Sequence, residues 1–337
     1  MARKRNLTPL YLLINVGILI AVIIFNPEIK NIDQVLRKMD YQWIVISVGF
    51  MVIFWLLDTI MTRRIMKLTL GSNMEFLDIF TINLIGRYYA SLVPLGGGQA
   101  AQIVYLSKRG IPPGKSSSIL MMKFWVYQTA LAVYAILMFM LKGGMIKEYR
   151  PYMFGAGIFG FLVNIVGPLI LYILSSKEGL INSIVEKTID FFRSRGREEK
   201  KVRVAERATE FAEDYSKAVE LINENMRGLR APLVLSLIQV GVFYALPYLI
   251  YRGCGLSEAG VVDIMLTNVF LHFAVCFVPT PGAAGATEGG FFSLFSLYFP
   301  KDSILIAMLC WRFISFYLTL VVGGTMIFME KLREKSK

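Results

Sequence analysis

The sequence predicts an all-α polytopic membrane protein with about six full spans and two re-entrant helical hairpins arranged as inverted repeats. The 337 residues are 55% hydrophobic, with a mean hydropathy of +0.56. The apolar residues fall in runs long enough to cross a bilayer, which is typical of membrane spans and not of surface helices. Since lipid offers no water to backbone N–H and C=O groups, the spans are expected to be helical.

Six apolar runs are long enough to be full spans, and a charged linker separates them into two membrane halves. The spans are predicted at 10–25, 43–62, 116–141, 152–175, 232–251 and 303–328. The first span follows MARKR without a small-residue cleavage pattern, so it is expected to be retained. The predicted domains are an N-terminal half at 1–175, a cytoplasmic amphipathic linker at 176–230 and a C-terminal half at 231–337.

Two further apolar regions, 76–107 and 261–299, are each broken at the centre. PLGGGQ at 94–99 interrupts the first, and PTPGAAGATEGG at 279–290 interrupts the second. Because proline removes a backbone donor and clustered glycine weakens a helix, each region should form two half-helices around a bend. The predicted bend residues are Pro94, Gly96, Gly97, Gly98, Gln99, Pro279, Pro281, Gly282 and Gly285. Two such units of opposite orientation are typical of transporters with a site near the bilayer midplane.

The basic residues predict the orientation of the chain in a cell membrane. If both hairpins return to the side on which they start, 25 of the 36 Lys and Arg residues share a side with the N-terminus. The positive-inside rule then places both termini in the cytoplasm, with the first hairpin dipping from the cytoplasm and the second from outside. The net charge of +12 suits anionic lipid head groups, and no nucleic-acid partner is expected because no such motif is present.

Three basic residues lie inside the predicted membrane regions: Arg87, Lys123 and Arg312. A cation at the bilayer centre costs at least about 2.5–3.5 kcal/mol on insertion scales, so each should face the protein interior or a water-filled cavity. If the three converge, they form a site for an anionic head group, most simply a phosphate. The alternative is internal ion pairing, with Glu288 as the expected partner of Arg312 and Asp58 as a further acid.

The two bends also offer helix N-termini, which carry partial positive charge and bind anions. Glu288 and Gln99 occupy equivalent positions, each just inside the half-helix that follows a bend. Glu288 is a candidate either for capping that helix or for titrating during transport, and the capping role is favoured.

The sequence gives no pattern of a metal site or a catalytic triad. Its three cysteines lie in or beside apolar segments without paired spacing, and its single histidine is His272. We therefore expect no metal, no cofactor and no catalytic residue. His272, predicted to be a hydrogen-bonded interior residue with proton shuttling as the alternative, and Tyr317, an aromatic for packing or for lining a lipid pathway, are secondary candidates.

Three segments resemble a known family. GRYYASLVPLGGGQAAQIVYLSKRGIP at 86–112, VPTPGAAGATEGGFFSLF at 278–295 and WRFISFYLTLVVGG at 311–324 are similar to the membrane domain of lysylphosphatidylglycerol synthase, the multiple peptide resistance factor, and its stand-alone flippase-like relatives. The resemblance covers nearly the whole chain. It implies inverted repeats that move phospholipids, aminoacylated ones in the best-known members, between leaflets and so reduce susceptibility to cationic peptides. The aminoacyltransferase domain is expected to be absent.

Several functions remain open on the sequence. A flippase for an anionic or aminoacylated phospholipid explains both the inverted repeats and the intramembrane cations. Family relatives connected with glycolipids and polyprenyl carriers make such lipids alternative substrates. A membrane subunit beside a separate lipid-modifying enzyme is a second class, and an oligomer is compatible with either. A free-standing membrane enzyme is a third class, which lacks a visible nucleophile–base pair.

Overall fold

The fold is described by a computed structural model of the chain. The structure describes residues 32–71, 74–93, 97–166 and 227–335, with isolated positions 17, 169, 220 and 224. Several sequence predictions lie outside these described residues. They are the span 10–25, the end of the span 152–175, nearly all of the linker 176–230, and the bend residues Pro94 and Gly96.

Helices are the regular elements of the described residues, as the sequence predicts. The first half contains α1 (Ile32–Lys38), α2 (Tyr41–Leu70), α3 (Phe76–Leu92), α4 (Gly97–Lys108), α5 (Pro113–Tyr149) and α6 (Pro151–Phe161), which ends in a π-helical turn, Leu162–Val166. The second half contains α7 (Arg230–Tyr244), α8 (Leu246–Gly253), α9 (Val261–Val275), a 3₁₀ turn (Pro281–Ala283), α10 (Ala286–Phe295), α11 (Lys301–Arg312), a π-helical turn (Phe313–Tyr317) and α12 (Leu318–Lys335).

Four helical stretches in the described part of the chain are long and apolar enough to cross a membrane. They are Tyr41–Leu70, Pro113–Tyr149, Arg230–Gly253 and Lys301–Lys335. Each contains one predicted span and extends beyond it at both ends. Local chemistry sets some of these ends: Asp40 accepts the Gln42 N–H before α2, and Gly71 ends α2 with a φ of 65°. Pro113, with its fixed φ, begins α5.

The predicted hairpins are both broken helix pairs. In hairpin 1, which consists of α3 and α4, the backbones approach closely, because a Cβ added to Gly98 would lie 2.5 Å from the carbonyl oxygen of Gly86. In hairpin 2, which consists of α9, the 3₁₀ turn and α10, Gly282 and Gly285 adopt φ angles of 62° and 87°. These positive φ angles favour glycine, so the bend at 279–290 requires its glycines for conformation.

The two hairpins open at opposite ends of the molecule. At the mouth of hairpin 1, Arg109 bridges Asp78 at 2.9 Å and Glu330, near the end of α12, at 2.7 Å. The helix α5 starts close to this mouth and runs to the other end, where Lys142 pairs with Asp263 at the start of hairpin 2. The inverted arrangement predicted from the sequence is therefore present in the described residues.

The two halves pack against each other through their equivalent elements. The first long helix of one half, α2, lies against α7 and α8, and the backbone N–H of Asp40 donates to the Gly253 carbonyl at 2.9 Å. Hairpin 1 packs against α12, where a Cβ on Gly323 would lie 2.8 Å from the Leu84 carbonyl oxygen. This close packing of small residues, which is typical of membrane helices, brings hairpin 1 beside the last span.

Candidate functional site

A cluster of charged side chains lies between hairpin 1 and the two long helices that flank it. We call Asp58, Arg87, Lys123 and Asn83 the hairpin-1 cluster. Asp58 comes from α2, Asn83 and Arg87 from α3, and Lys123 from α5. Asn83 and Arg87 are four residues apart on one helix, so their side chains lie on the same face.

Asp58 is the centre of the hairpin-1 cluster. Arg87 Nη2 lies 3.0 Å from Asp58 Oδ2, and Lys123 Nζ lies 3.0 Å from Asp58 Oδ1. The Asp58 side chain is 3% exposed, that of Lys123 is 14% exposed and that of Arg87 is 28% exposed. The Arg87 guanidinium also lies 4.3 Å from the centroid of the Phe54 ring. Two of the three predicted intramembrane cations therefore converge on one carboxylate, and Arg87 is the more open of the two.

Neutral polar residues extend the cluster into hairpin 1. Asn83 Oδ1 accepts hydrogen bonds from Lys123 Nζ and from Gln102 Nε2, both at 3.0 Å. Its amide nitrogen donates to Thr62 Oγ1 at 3.1 Å. Asn83 and Gln102 are buried, and they join the two halves of hairpin 1 to α2 and α5. Sequence reasoning missed both residues, although the four-residue spacing of Asn83 and Arg87 is a signal that could have identified Asn83.

The charges of the hairpin-1 cluster do not balance. It holds two cations and one carboxylate, so it retains one excess positive charge. Arg87 contacts Asp58 through its Nε and Nη2 atoms. Its Nη1 atom lies on the opposite edge of the guanidinium. A planar guanidinium beside an ammonium is a donor set suited to a phosphate or carboxylate oxygen. The donors of this arrangement therefore suit one further anionic group.

Arg312, the third predicted cation, forms a separate pair. Its Nε lies 2.6 Å from Glu288 Oε1, and its Nη2 donates to the Gly282 carbonyl at 3.0 Å. The two side chains are only 6% and 4% exposed. The ion pair that the sequence predicts between Arg312 and Glu288 is present, and it balances the charge of this cluster.

Glu288 also caps α10. Its Oε2 accepts the backbone N–H of the N-cap residue Gly285 at 2.6 Å, which is one half of a capping box, since glycine has no side chain for the reciprocal bond. Glu288 therefore makes the capping contact that the sequence predicts. A single carboxylate thus connects the bend of hairpin 2 to Arg312 on the following span.

Three remaining predicted residues, Gln99, His272 and Tyr317, make no hydrogen bond to either cluster in the described part of the chain, although Tyr317 lies near the Arg312–Glu288 pair. Gln99 is exposed in the first turn of α4, unlike the buried Glu288 at the equivalent position of α10. The sequence predicts a hydrogen bond for His272. In the structure its imidazole ring packs against the rings of Tyr244 and Phe273, at centroid distances of 5.9 and 5.4 Å. Tyr317 lines an apolar cavity of about 410 Å³ between α1, α2 and α11.

Groups of three or more His, Cys, Asp or Glu side chains that could hold a metal ion are absent from the described residues.

Known proteins match this chain over almost its full length. A family described as the lysylphosphatidylglycerol synthase TM region matches residues 12–323. A protein named UPF0104 membrane protein, from Archaeoglobus fulgidus, is 22% identical over 330 residues, which cover 95% of this chain and 96% of the relative. The family match includes both hairpins and the residues of both charged clusters. The chain belongs to the lysylphosphatidylglycerol synthase transmembrane-region family.

Proposed function

We propose that this protein moves a lipid with an anionic phosphate head group between the leaflets of a cell membrane, and that the hairpin-1 cluster binds the phosphate. The observation that carries this proposal is the excess positive charge of a partly open cluster between hairpin 1 and the two long apolar helices that flank it. Intramembrane ionisable residues are costly and mark substrate pathways in transporters. Phospholipids, aminoacylated phospholipids and polyprenyl phosphates share the phosphate that such a cluster recognises.

The inverted hairpins support transport over simple lipid binding. Hairpin 1 and hairpin 2 open at opposite ends of the molecule, and they pack near the same last span. A site between two inverted units becomes accessible from alternate sides when one unit moves against the other. The balanced Arg312–Glu288 pair supports a different role for hairpin 2, in which the pair fixes the bend against the last span and leaves head-group binding to Arg87 and Lys123.

The charge difference between the two ends supports the cytoplasmic placement of the hairpin-1 mouth. Among the described residues at that end, the basic ones are Arg63, Arg64, Lys67, Lys108, Arg109, Lys115, Arg227, Arg230, Lys331, Arg333 and Lys335, and the acidic ones are Glu75, Asp78, Glu330 and Glu334, together with Glu220 and Glu224 of the linker. The opposite end carries Arg37, Lys38, Lys142, Lys147, Arg150, Arg252 and Lys301 with Asp33, Asp40, Glu148, Glu258, Asp263 and Asp302. By the positive-inside rule, hairpin 1 opens to the cytoplasm.

The test is leaflet exchange of a fluorescent phosphatidylglycerol in vesicles that contain the purified full chain. Arg87→Gln should slow exchange about 10–100-fold, because a hydrogen bond to a charged group contributes roughly 1.5–3 kcal/mol. Arg64→Gln, which removes an exposed arginine at the end of α2, is the matched control and should leave the rate unchanged. Equal rates for wild type and Arg87→Gln would remove the head-group assignment. Absence of exchange in wild type, together with a copurifying lipid-modifying enzyme, would favour the membrane-subunit function.

A further inference from the structure

We infer that Asp58 determines the charge of the lipid that the protein accepts, so that the hairpin-1 cluster selects a head group with one net negative charge. This inference rests on the proposed function and adds a substrate class to it. The preferred ligand is a lipid phosphodiester such as phosphatidylglycerol. A lipid phosphomonoester, which carries about −1.5 to −2 charges at neutral pH, should be disfavoured.

Asp58 stays with its two cations. Both of its carboxylate oxygens are engaged, Oδ2 by Arg87 and Oδ1 by Lys123. Its side chain is almost completely buried, and releasing the carboxylate from either cation would leave charges uncompensated in a medium of low dielectric. An arriving phosphate therefore adds to the cluster and does not displace Asp58.

The neighbouring groups add no further charge. Asn83, which accepts from Lys123, and Gln102, which donates to Asn83, are neutral, and Phe54 covers one face of the Arg87 guanidinium. The other intramembrane cation of the described residues, Arg312, is neutralised by Glu288. The excess positive charge of the cluster therefore compensates one negative charge on the ligand. A second negative charge on the ligand would be repelled by the Asp58 carboxylate, and no further cation would balance it.

Access to the cluster is through Arg87. Arg87 is the most exposed member of the cluster, at 28%, whereas the Asp58 side chain is 3% exposed, so a phosphate reaches the Nη1 edge of the Arg87 guanidinium and not the carboxylate. The carboxylate reduces the positive potential at that edge without contacting the ligand. Asp58 is thus a specificity-determining residue that acts through charge, and its effect should depend on ligand charge and not on head-group shape.

The experiment compares leaflet exchange of three lipids that carry the same fluorescent acyl chain, in phosphatidylcholine vesicles with the purified full chain. They are phosphatidylglycerol, phosphatidic acid and phosphatidylethanolamine, which differ in net charge. Wild type should exchange phosphatidylglycerol about ten-fold faster than phosphatidic acid, and Asp58→Asn should reverse this order, since it raises the excess charge without changing side-chain size. Glu75→Gln removes an exposed acid and should preserve the wild-type order.

A second variant keeps the inference testable if Asp58→Asn does not fold. Lys123→Met removes the excess positive charge. It should lower the exchange rate of phosphatidylglycerol to that of the zwitterionic phosphatidylethanolamine. If wild type exchanges lipids at rates independent of charge, or if both variants keep the wild-type order, the role of Asp58 is refuted while the proposed function stands. If wild type exchanges no lipid, the proposed function itself fails.

Discussion

The buried ion pair between Arg312 and Glu288 gives a stability prediction that can be worked out in detail. Removing one partner leaves the other charge uncompensated in a site where both side chains are almost inaccessible, which costs about 3–5 kcal/mol. Glu288→Gln also weakens the cap on the Gly285 N–H, which adds roughly 1 kcal/mol. Arg312→Met additionally removes the donor to the Gly282 carbonyl. Each single variant should therefore lose several kcal/mol of unfolding free energy.

The double variant separates pairing from packing. With both charges replaced, no uncompensated charge remains, so Glu288→Gln/Arg312→Met should be more stable than the sum of the single losses predicts, by up to about 3 kcal/mol. The assay is equilibrium unfolding in mixed micelles titrated with a denaturing detergent, followed by circular dichroism. Single variants that lose less than about 1 kcal/mol, or strictly additive losses, would refute the structural role of this pair.

Three further predictions concern other parts of the fold. Gly160→Ala should lose about 1–3 kcal/mol of unfolding free energy in the same assay, because its Cβ would overlap the Phe273 carbonyl oxygen, and Gly155→Ala, at an open position, is the control that should be far milder. Asn83→Leu should lower both stability, by about 1–3 kcal/mol, and the lipid-exchange rate, since it removes the acceptor of Lys123; an unchanged exchange rate would contradict its role in the cluster. At the mouth of hairpin 1, hydrogen bonding from Arg109 lowers the pKa of Asp78 below its usual value, so the contribution of this carboxylate is present above the unfolded pKa and is lost as the pH falls through the folded pKa. Thermal stability should therefore drop below about pH 4 in wild type and less so in Asp78→Asn, and parallel pH profiles would contradict this.

The spans and both hairpins could be predicted because their signals are local. Uninterrupted apolar runs identify the spans, and Pro with clustered Gly marks each bend. The predicted spans are shorter than the helices that contain them, as with 43–62 inside α2 (Tyr41–Leu70). A helix continues past the hydrocarbon core of the bilayer into polar residues, which hydropathy does not identify as part of a span. Arg63 and Lys67 lie in such an extension.

The sequence predicted those residues of the site that are charged and lie within apolar segments. Arg87, Lys123 and Arg312 stand out in apolar segments, but their partners depend on contacts between helices that a single sequence does not specify. Asp58 was therefore not assigned to Arg87 and Lys123, and the neutral Asn83 and Gln102 were missed. Gln102, and not Gln99, is buried in hairpin 1, because Gln99 is exposed in the first turn of α4, whereas Gln102 lies one turn further on, against Asn83 and Gly86.

The central claim is that the hairpin-1 cluster holds the phosphate of a lipid, and native mass spectrometry tests it most directly. The full chain would be extracted gently from its own membrane as wild type, as Arg87→Gln and as the control Arg64→Gln. We expect one class of anionic lipid to copurify with wild type and with the control, and to be lost in Arg87→Gln. The same lipids on all three proteins, in the same amounts, would contradict it.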